Sequence, residues 1–361
     1  MAVDAVVLGR TDLVRALALG GIRSVVVAER NDPIRYSRFV SRVVPEADLV
    51  AYGRGLPEPA PLFYDSDRVL RLLLRERATL ERWFRFVLPD AELVEDLLDK
   101  ARFAALAERL ALPVPRSRRL GPGDGDPGLG FPLVIKASPH RDARWDQVTG
   151  SKVLRVDDAA ALRSALDRIG RAGIEVIAQE LVPGGEDRIE SYHVYVDVHG
   201  AVAGEFTGRK IRTAPDEFGM STALETTDDE RVISAGRAVV ERLGFRGVAK
   251  LDFKRGPDSD LRLLEVNPRF TLWTHVGAVA GVNLPAIVHA DLTGAPRPAA
   301  ARARPGVRWI WPRADARAAR ASGVPLRSWL VWALRSETNS SFALSDPAPY
   351  VLGRLRSLVR R

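Results

Sequence analysis

The sequence predicts a protein of the mixed α/β and α+β class, with a parallel α/β unit first and units rich in antiparallel strands after it. Residues 3–9 and 24–28 are short apolar runs separated by a helical pattern, and this β–α–β order is typical of a parallel sheet. Residues 121–130 (GPGDGDPGLG) have the composition of turns and linkers, and strand patterns dominate after them. Residues 191–206 and 248–267 each contain two strand patterns joined by a turn, which predicts two hairpins.

These changes of pattern divide the chain into four predicted domains. Residues 1–98 form the N-terminal α/β domain, and residues 99–185 form a smaller domain that begins with a linker helix. Residues 186–295 form a larger α+β domain. Residues 296–361 form an extension that we expect to pack back on the body. Its last part, residues 350–361, has the apolar spacing of a cationic helix. Such a helix can lie on an anionic membrane surface, but we expect it to dock on the protein's own body because it is short and has only Tyr350 as an aromatic anchor.

The smaller domain is expected to contain helices and strands in alternation. Its predicted elements are a helix at 99–110, strands at 131–137 and 152–156 around a loop at 138–151, a helix at 159–170 and a strand at 175–182. In the larger domain, a loop that contains residues 218–222 is expected to lead to a helix over residues 228–243.

The composition excludes several kinds of site. The chain has no cysteine, so disulfides and thiolate metal sites are excluded. The turn after the first strand, Gly9-Arg10-Thr11-Asp12, lacks the three glycines of the dinucleotide fingerprint, which argues against NAD. No stretch approaches the roughly 18 apolar residues of a membrane span, and the first ten residues lack the basic start of a signal peptide. We therefore expect a cytoplasmic protein.

Arginine carries almost all of the positive charge. The net charge is +8, but only six of the 54 basic residues are lysines, and the arginines are spread along the chain without a nucleic-acid recognition motif. We therefore expect small-molecule partners rather than nucleic acid, and a homodimer is left open. All six lysines lie between positions 100 and 254, which indicates sites that need a compact ammonium group.

The second hairpin (VAKLDFKRGPDSDLRLLEVNPR) places charged residues on apolar strands. Because side chains alternate along a strand, Lys250, Asp252 and Lys254 share one face, and Glu265 and Asn267 share a face of the partner strand. A hairpin that is symmetric about its Gly-Pro-Asp-Ser-Asp turn pairs Asp252 with Glu265 and Lys250 with Asn267.

Two carboxylates and an amide oxygen at the end of a ladder are hard ligands that suit Mg²⁺. We therefore predict a Mg²⁺ (or Mn²⁺) site at Asp252, Glu265 and Asn267. The alternative is a solvated face with incidental charges. We disfavour it because adjacent carboxylates repel each other unless a cation joins them.

The same residues resemble a known family. The run Glu265–Arg269 (EVNPR), with Asp252 upstream on the paired strand, resembles the metal-binding motif of the ATP-grasp superfamily. The resemblance continues in the expected order over residues 99–294. It implies the ATP-grasp fold, in which ATP is gripped between a small lid domain, here residues 99–185, and the larger domain that follows.

Further motifs of the resemblance imply the ATP ligands. Asp99-Lys100 resembles the opening of the family's ATP-binding region, so Lys100 is a candidate ligand. Lys136, which ends the run FPLVIK, resembles the lysine that reaches the α- and β-phosphates. The run AQELVPG resembles the hinge that holds adenine. The adenine and ribose ligands that it implies are Gln179, Glu180, Leu181 and Val182, followed by Glu186 or Asp187.

The loop over residues 138–151 departs from the family pattern. Family members usually cover the phosphates with a glycine-rich loop whose N–H groups bind them, whereas this loop has one glycine, Gly150. Arg141, Arg144 and Lys152 are the candidates to supply charge in place of those N–H groups.

Basic residues also imply a phosphate cradle. The run FTGRKIR brings Arg209, Lys210 and Arg212 to the end of a predicted strand, where such charges stabilise phosphoryl transfer. A plain basic strand terminus is the alternative, disfavoured because Lys210 is one of only six lysines. Arg269 resembles the family's arginine that holds the acyl phosphate or the substrate carboxylate. Lys210, Arg212 and Arg269 are therefore the predicted catalytic residues.

The resemblance as a whole is to carboxylate–amine ligases. D-aspartate ligase is one related enzyme, and the implied fold is like that of biotin carboxylase. It implies that ATP activates a carboxylate as an acyl phosphate and that an amine displaces the phosphate. One alternative is a bicarbonate-activating carboxylase or carbamoyl-phosphate-type enzyme, which the lack of a biotinyl or glutaminase segment disfavours. Another is a nucleotide-binding module without catalysis, which the intact Lys136, Asp252, Glu265 and Asn267 disfavour.

Residues after the metal motif are candidates for an acceptor pocket. Phe270, Trp273 and His275 follow Arg269 closely, although core packing is the more expected role for Phe270 and Trp273. We assign no catalytic role to His193 or His275.

Overall fold

The N-terminal part folds around a five-stranded parallel sheet. The computed structural model describes residues 4–29, 31–138, 143–151, 153–299, 301–340 and 342–359. The first elements are β1 (Ala5–Leu8), α1 (Thr11–Leu19), β2 (Ser24–Val27), β3 (Val40–Val44), α2 (Leu49–Arg54), β4 (Ala60–Tyr64), α3 (Asp67–Arg75), α4 (Arg77–Leu80), β5 (Phe84–Arg85) and α5 (Ala91–Leu98). The strand order is β3-β2-β1-β4-β5. The central β1 is fully buried, as a parallel strand covered on both faces must be, and the predicted β–α–β opening is confirmed.

The strand order reverses between β1 and β4. Because the chain leaves β1 toward β2 on one side while β4 lies on the other, a crevice forms beyond the carboxyl ends of these two strands. The residues that follow the strands meet there. Arg10, after β1, donates from its backbone N–H and its Nε to Asp65 Oδ2, after β4, at 2.8 and 3.1 Å.

A four-stranded antiparallel sheet follows a linker helix. The elements are α6 (Lys100–Arg109), β6 (Ser117–Leu120), β7 (Leu133–Ser138), α7 (Ala143–Thr149), β8 (Leu154–Val156), α8 (Ala159–Arg171) and β9 (Glu175–Glu180), with the strand order β6-β9-β7-β8. Asp99 begins α6 by accepting hydrogen bonds from the N–H groups of Ala101 and Arg102.

The prediction of a loop over residues 138–151 is wrong for its second half, which forms α7. Trp145 explains the helix, because its ring is buried in the core under this sheet and its Nε1 donates to the carbonyl of Ser151 at 2.7 Å. Arg144, on the same helix, donates to the carbonyl of Ala172 and does not line the cavity described below. Arg141 lies outside the described residues.

A seven-stranded sheet forms the rest of the body. Its first elements are β10 (Ile189–Val196), β11 (Val202–Ala214), β12 (Met220–Thr227), α9 (Glu230–Arg242), β13 (Gly247–Arg255), β14 (Leu261–Asn267), α10 (Thr274–Val279) and α11 (Leu284–Thr293). Both predicted hairpins are confirmed, as β10–β11 and β13–β14. The loop predicted around residues 218–222 is wrong from Met220 onward, because β12 begins there and pairs with β11.

The C-terminal segment completes this sheet. It contains β15 (Arg308–Ile310), α12 (Pro312–Ala321), α13 (Leu326–Leu334), β16 (Thr338–Asn339) and α14 (Ala348–Val359), and the strand order is β14-β13-β10-β11-β12-β15-β16. As expected, α14 packs on the body, against the 3₁₀ helix Pro33–Tyr36, and Gly353 lies so close to Pro33 that a side chain would crowd it. None of the described helices is both long and apolar enough to span a bilayer.

Candidate functional site

A cavity of about 450 Å³ lies where the three sheets meet. Its walls come from β7 and β9, from β13 and β14, and from the crevice at the carboxyl ends of β1 and β4. Twelve of the predicted site residues line it: Lys100, Lys136, Gln179, Glu180, Leu181, Val182, Glu186, Lys210, Asp252, Glu265, Asn267 and Arg269. A wider, more open groove of about 860 Å³ runs beside β3, and none of the predicted site residues line it.

Three predicted site residues are not among those that line the cavity. Lys152 lies outside the described residues. Of the two ribose candidates, Glu186 lines the cavity and Asp187 does not. Arg212 is the third, and an irregularity of the backbone in β11 turns its side chain away from the cavity.

A β-bulge separates Lys210 from Arg212. Two residues apart on a regular strand, they would share a face, but the register with β12 shifts between them. Lys210 therefore lines the cavity, while Arg212 forms two hydrogen bonds, of 2.9 and 2.7 Å, with Asp315, which is 0% exposed. Arg209 is bound by Glu225 at 2.6 Å. Of the three basic residues of the predicted cradle, only Lys210 lines the cavity, whereas Arg212, a predicted catalytic residue, lies outside the lining in an ion pair with Asp315.

The hinge closes one end of the cavity. Lys136 Nζ donates to Gln179 Oε1 at 2.7 Å across neighbouring strands β7 and β9. The backbone N–H groups of Glu180 and Leu181 donate to the carbonyls of Arg116 and Pro132, each at 2.9 Å. The N–H of Val182 donates to no other residue that the structure describes, so it is available to a ligand.

Three charged side chains of β13 form the floor. Lys250, Asp252 and Lys254 share one strand face and are only 7%, 2% and 5% exposed. Asp252 accepts hydrogen bonds from Ser191 Oγ at 2.5 Å and from Lys250 Nζ at 2.6 Å, and Lys210 Nζ lies 3.8 Å away. Burial alone would raise the pKa of Asp252. The two ammonium groups outweigh burial and hold that pKa below its ordinary value.

Lys254 stands apart from its neighbours on β13. Its ammonium group makes no hydrogen bond or ion pair with any part of the chain that the structure describes, and burial lowers its pKa while nearby carboxylates, Glu186 above all, partly restore it. Glu186 is itself desolvated, which raises its pKa, although Lys210 and Lys254 oppose that effect. Both side chains line the same end of the cavity.

The lysines of the chain converge. All five that the structure describes line this cavity, although they come from four separate segments: Lys100, Lys136, Lys210, Lys250 and Lys254. Lys250 and Lys254 were not among the predicted ligands. The scarcity of lysine in the sequence is the signal that could have identified them.

The β13–β14 hairpin has the predicted register at the cavity and loses it toward the turn. Asp252 lies opposite Glu265 and Lys250 opposite Asn267, as the symmetric hairpin predicts. The register then shifts by one residue, because β14 has a bulge at Leu264. Asn267 Nδ2 donates to Glu265 Oε1 at 3.0 Å.

The donor atoms of this hairpin fit a hard divalent cation. Cβ atoms that lie directly opposite on neighbouring strands are about 5 Å apart, which brings the carboxylates of Asp252 and Glu265 close enough to share an ion. Each carboxylate oxygen keeps a second lone pair beyond the hydrogen bond it accepts. Lys250 and Lys210 already balance the charge of Asp252, contrary to the expectation that only a bound cation would offset two adjacent carboxylates. Charge repulsion alone therefore does not require a metal.

The crevice beyond β1 and β4 closes the other end. Arg269 forms an ion pair with Asp67, with Nε 2.5 Å from Oδ1, and its Nη2 donates to Asn267 Oδ1 at 3.2 Å. Arg10 and Trp273 also line this end. Arg10 and Asp67 were not predicted, since only the reversal of strand order brings them to the hairpin.

The aromatic and histidine candidates lie mainly in the core. Trp273 is 1% exposed and belongs to the core, as expected, yet one side of it reaches the cavity. Phe270 is buried in the same core. His193 and His275 are buried and do not line the cavity, and burial lowers the pKa of both, to about 4 for His275.

Comparison with known proteins connects this geometry to a family. Residues 195–313 match a family model described as ATP-grasp in the biosynthetic pathway with Ter operon. A D-alanine–D-alanine ligase of Desulfovibrio desulfuricans is 32% identical over 165 residues, which cover 40% of this chain and 46% of the ligase. The chain thus aligns with less than half the length of this curated relative.

Solved structures share the fold. The β,γ-ATP complex of biotin carboxylase from Campylobacter jejuni superposes with a TM-score of 0.63 at 14% identity, over 84% of this chain and 74% of that chain. An L-amino acid ligase from Bacillus licheniformis superposes with a TM-score of 0.57 at 14% identity, over 80% and 73%. The chain thus has the fold of these ATP-grasp structures, and residues 195–313 and the hairpin motif resemble ATP-grasp proteins.

Proposed function

We propose that the chain is an ATP-dependent ligase that activates a carboxylate as an acyl phosphate and joins it to an amine. One observation carries the proposal: five lysines of a lysine-poor chain line one cavity beside the paired Asp252 and Glu265. Several ammonium groups and two carboxylates in one cavity suit a polyphosphate that is bound with a divalent cation.

The nucleotide would lie along the cavity from the hinge to the crevice. The base fits against Val182, whose N–H is available, and against the carbonyl groups of Glu180 and Leu181. Glu186 is placed for the ribose. Lys100, Lys136, Lys210, Lys250 and Lys254 all line the cavity and are the candidates to contact the phosphates.

Asp252, Glu265 and Asn267 are the residues that would hold Mg²⁺ or Mn²⁺. When bound, such an ion neutralises charge on the phosphate that is transferred. The protein residues would orient the transferred phosphate and exclude water around it. Most of the catalysis is then positioning and charge neutralisation by groups that are already in place.

The proposed ligase reaction has two steps. An oxygen of the substrate carboxylate attacks the γ-phosphorus of ATP, the bond to the bridging oxygen breaks, and ADP leaves with the electron pair. The amine nitrogen then attacks the acyl carbon, the bond from carbon to the phosphate oxygen breaks, and phosphate and a proton are released. Lys210 and Arg269 lie on either side of Asp252 and Asn267, where they can neutralise the transferred phosphate.

Two relatives support an amine as the acceptor. By name, the D-alanine–D-alanine ligase and the L-amino acid ligase join amino acids. An amino acid could be held by its carboxylate at Arg10 or Arg269 and by its amine at Asp67, all of which line the crevice. We also propose that the reaction takes place in the cytoplasm. A homodimer is compatible with the proposal, and a measurement of molecular mass in solution tests it.

Release of ADP tests the proposal. The purified chain is supplied with ATP, Mg²⁺ and pools of amino acids and other carboxylates, and we expect ADP release that depends on both a carboxylate and an amine. Lys210→Ala should abolish it, whereas Arg209→Ala, whose partner Glu225 lies outside the cavity lining, should retain it. A protein that binds ADP but forms none from ATP with any pair of carboxylate and amine would be a non-catalytic nucleotide-binding module. Formation of ADP with bicarbonate alone would favour the carboxylase alternative.

A further inference from the structure

The C-terminal segment combines two unusual surface properties. Residues 296–361 contain thirteen arginines and three acidic residues, a net charge of +10. Because the whole chain has a net charge of +8, the preceding 295 residues carry −2. Eight of the thirteen large apolar residues that are exposed in the described part of the chain also lie in this segment. The net positive charge of the sequence and most of these exposed apolar residues therefore fall in the same segment.

The apolar residues form a stripe on α13. Leu326, Leu330 and Leu334 are 70%, 44% and 84% exposed, and at 3.6 residues per turn they lie within an arc of roughly 80°. Val331 is exposed beside them. Trp329, which lies outside this arc, anchors the helix to the body, because its Nε1 donates to the buried Asp315 at 2.9 Å. The leucines therefore do not contribute to the described core.

The charged residues form a stripe on the neighbouring helix. Arg313, Arg317 and Arg320 are exposed on α12, and their spacing places them within an arc of roughly 60°. α12 and α13 contact each other. Arg327 lies on α13 within the apolar stripe and is also exposed. We call this pair of stripes the α12–α13 surface.

We propose that the α12–α13 surface binds an anionic lipid bilayer. Exposed leucines on a short helix beside a row of arginines are typical of helices that lie in the membrane interface, and arginines near an anionic surface add to the attraction. A second copy of the chain that docked through the same surface is disfavoured, because it would bring the same exposed arginines against these. Arg327, within the apolar stripe, is compatible with a bilayer, because an arginine there lays its methylene stem along the apolar surface and extends its guanidinium to the headgroups. The surface is separate from α14, which packs against the body.

Co-sedimentation of the full chain with vesicles tests the proposal. We expect binding to vesicles of mixed phosphatidylglycerol and phosphatidylcholine, and much less to phosphatidylcholine alone. The triple variant Leu326→Ser, Leu330→Ser, Leu334→Ser should bind anionic vesicles about tenfold more weakly. Arg313→Gln, Arg317→Gln, Arg320→Gln should lose binding to a similar extent. The control carries Leu19→Ser and Val198→Ser, which are exposed apolar positions outside the surface, and it should bind as wild type does.

Several results would overturn the proposal. These are the absence of binding to anionic vesicles, equal binding to neutral vesicles, or unchanged binding of the leucine variant. Self-association that the leucine variant abolishes, without any vesicle binding, would identify the surface as an interface between copies. Unchanged thermal unfolding and ADP affinity of the variants would show that a loss of binding is not a loss of fold.

Discussion

At the scale of single residues, three charged side chains on β13 are buried to a similar degree but have different partners. Lys250 and Asp252 neutralise each other at 2.6 Å, whereas Lys254 has no ion pair within the residues that the structure describes. A buried ammonium group without a partner costs free energy in the empty protein. An anion in the cavity would offset this cost, so we expect Lys254 to contribute to ligand binding rather than to stability.

Replacing each lysine by methionine should separate these two roles. Lys254→Met should weaken ADP binding by about tenfold without reducing the free energy of unfolding, because it removes a desolvated charge. Lys250→Met should reduce the free energy of unfolding by about 3 kcal/mol, because it leaves the carboxylate of Asp252 buried with weaker compensation. Urea denaturation and calorimetry of ADP binding measure both effects. Equal losses of stability in the two variants would show that Lys254 has a structural partner after all.

The predictable part of the site is the part that lies on regular strands. The alternation of side chains correctly places Lys250, Asp252 and Lys254 on one face, and the scarcity of lysine already indicates a site. Arg10 and Asp67 could not be predicted, because they are far from the hairpin in sequence. They reach the cavity only through the reversal of strand order between β1 and β4.

At the scale of elements, two β-bulges decide which side chains reach the cavity. One bulge in β14 shifts the hairpin register beyond Asp252, and another in β11 separates Lys210 from Arg212. Strand periodicity cannot predict a bulge, since the extra residue depends on how the neighbouring strands pack. The helix α7 was missed for a related reason, because the burial of Trp145 that stabilises it depends on the core around it.

The bulge in β11 leads to different predictions for Lys210 and Arg212. Arg212→Ala should lower the free energy of unfolding by about 3 kcal/mol, because it leaves Asp315 buried without its ion pair. Lys210→Ala should change stability little and abolish ADP release. Denaturation curves and the ligase assay on both variants measure this difference. An Arg212→Ala protein that is stable but inactive would mean that Arg212 acts in the site.

At the scale of the whole molecule, buried polar groups connect the N-terminal sheet to the C-terminal segment. Arg15 on α1 donates to the backbone carbonyl of Asn339 on β16 at 3.0 Å. Asp12, also on α1, lies 4.0 Å from His275 Nδ1 on α10. Burial raises the pKa of Asp12 to about 6, although Arg15 opposes the effect. The sequence gives no sign of these contacts, because they join residues more than 250 positions apart and β16 has only two residues.

Asp12 should make the stability of the protein depend on pH. In the unfolded chain its carboxyl ionises near pH 4, whereas in the folded protein it keeps its proton up to a pKa of about 6. The folded state thus binds more protons between these values, and wild type loses stability as the pH rises through them. Asp12→Asn should gain stability relative to wild type over this window, by at most about 3 kcal/mol. Urea denaturation at several pH values measures the gain. A difference that does not change with pH would show that the pKa of Asp12 is the same in the folded protein as in the unfolded chain.

The central claim concerns the whole cavity, namely that it binds a nucleotide together with a divalent ion held by the β13–β14 hairpin. Calorimetry of ADP binding with and without Mg²⁺ tests it most directly, on wild type, on Glu265→Gln, and on a control, Asp260→Asn, in the exposed turn of the same hairpin. We predict that Mg²⁺ strengthens ADP binding by about tenfold or more in wild type and in the control. In Glu265→Gln that gain should disappear while the affinity for ADP alone is retained. A Glu265→Gln protein that shows the same gain from Mg²⁺ as wild type would contradict the claim.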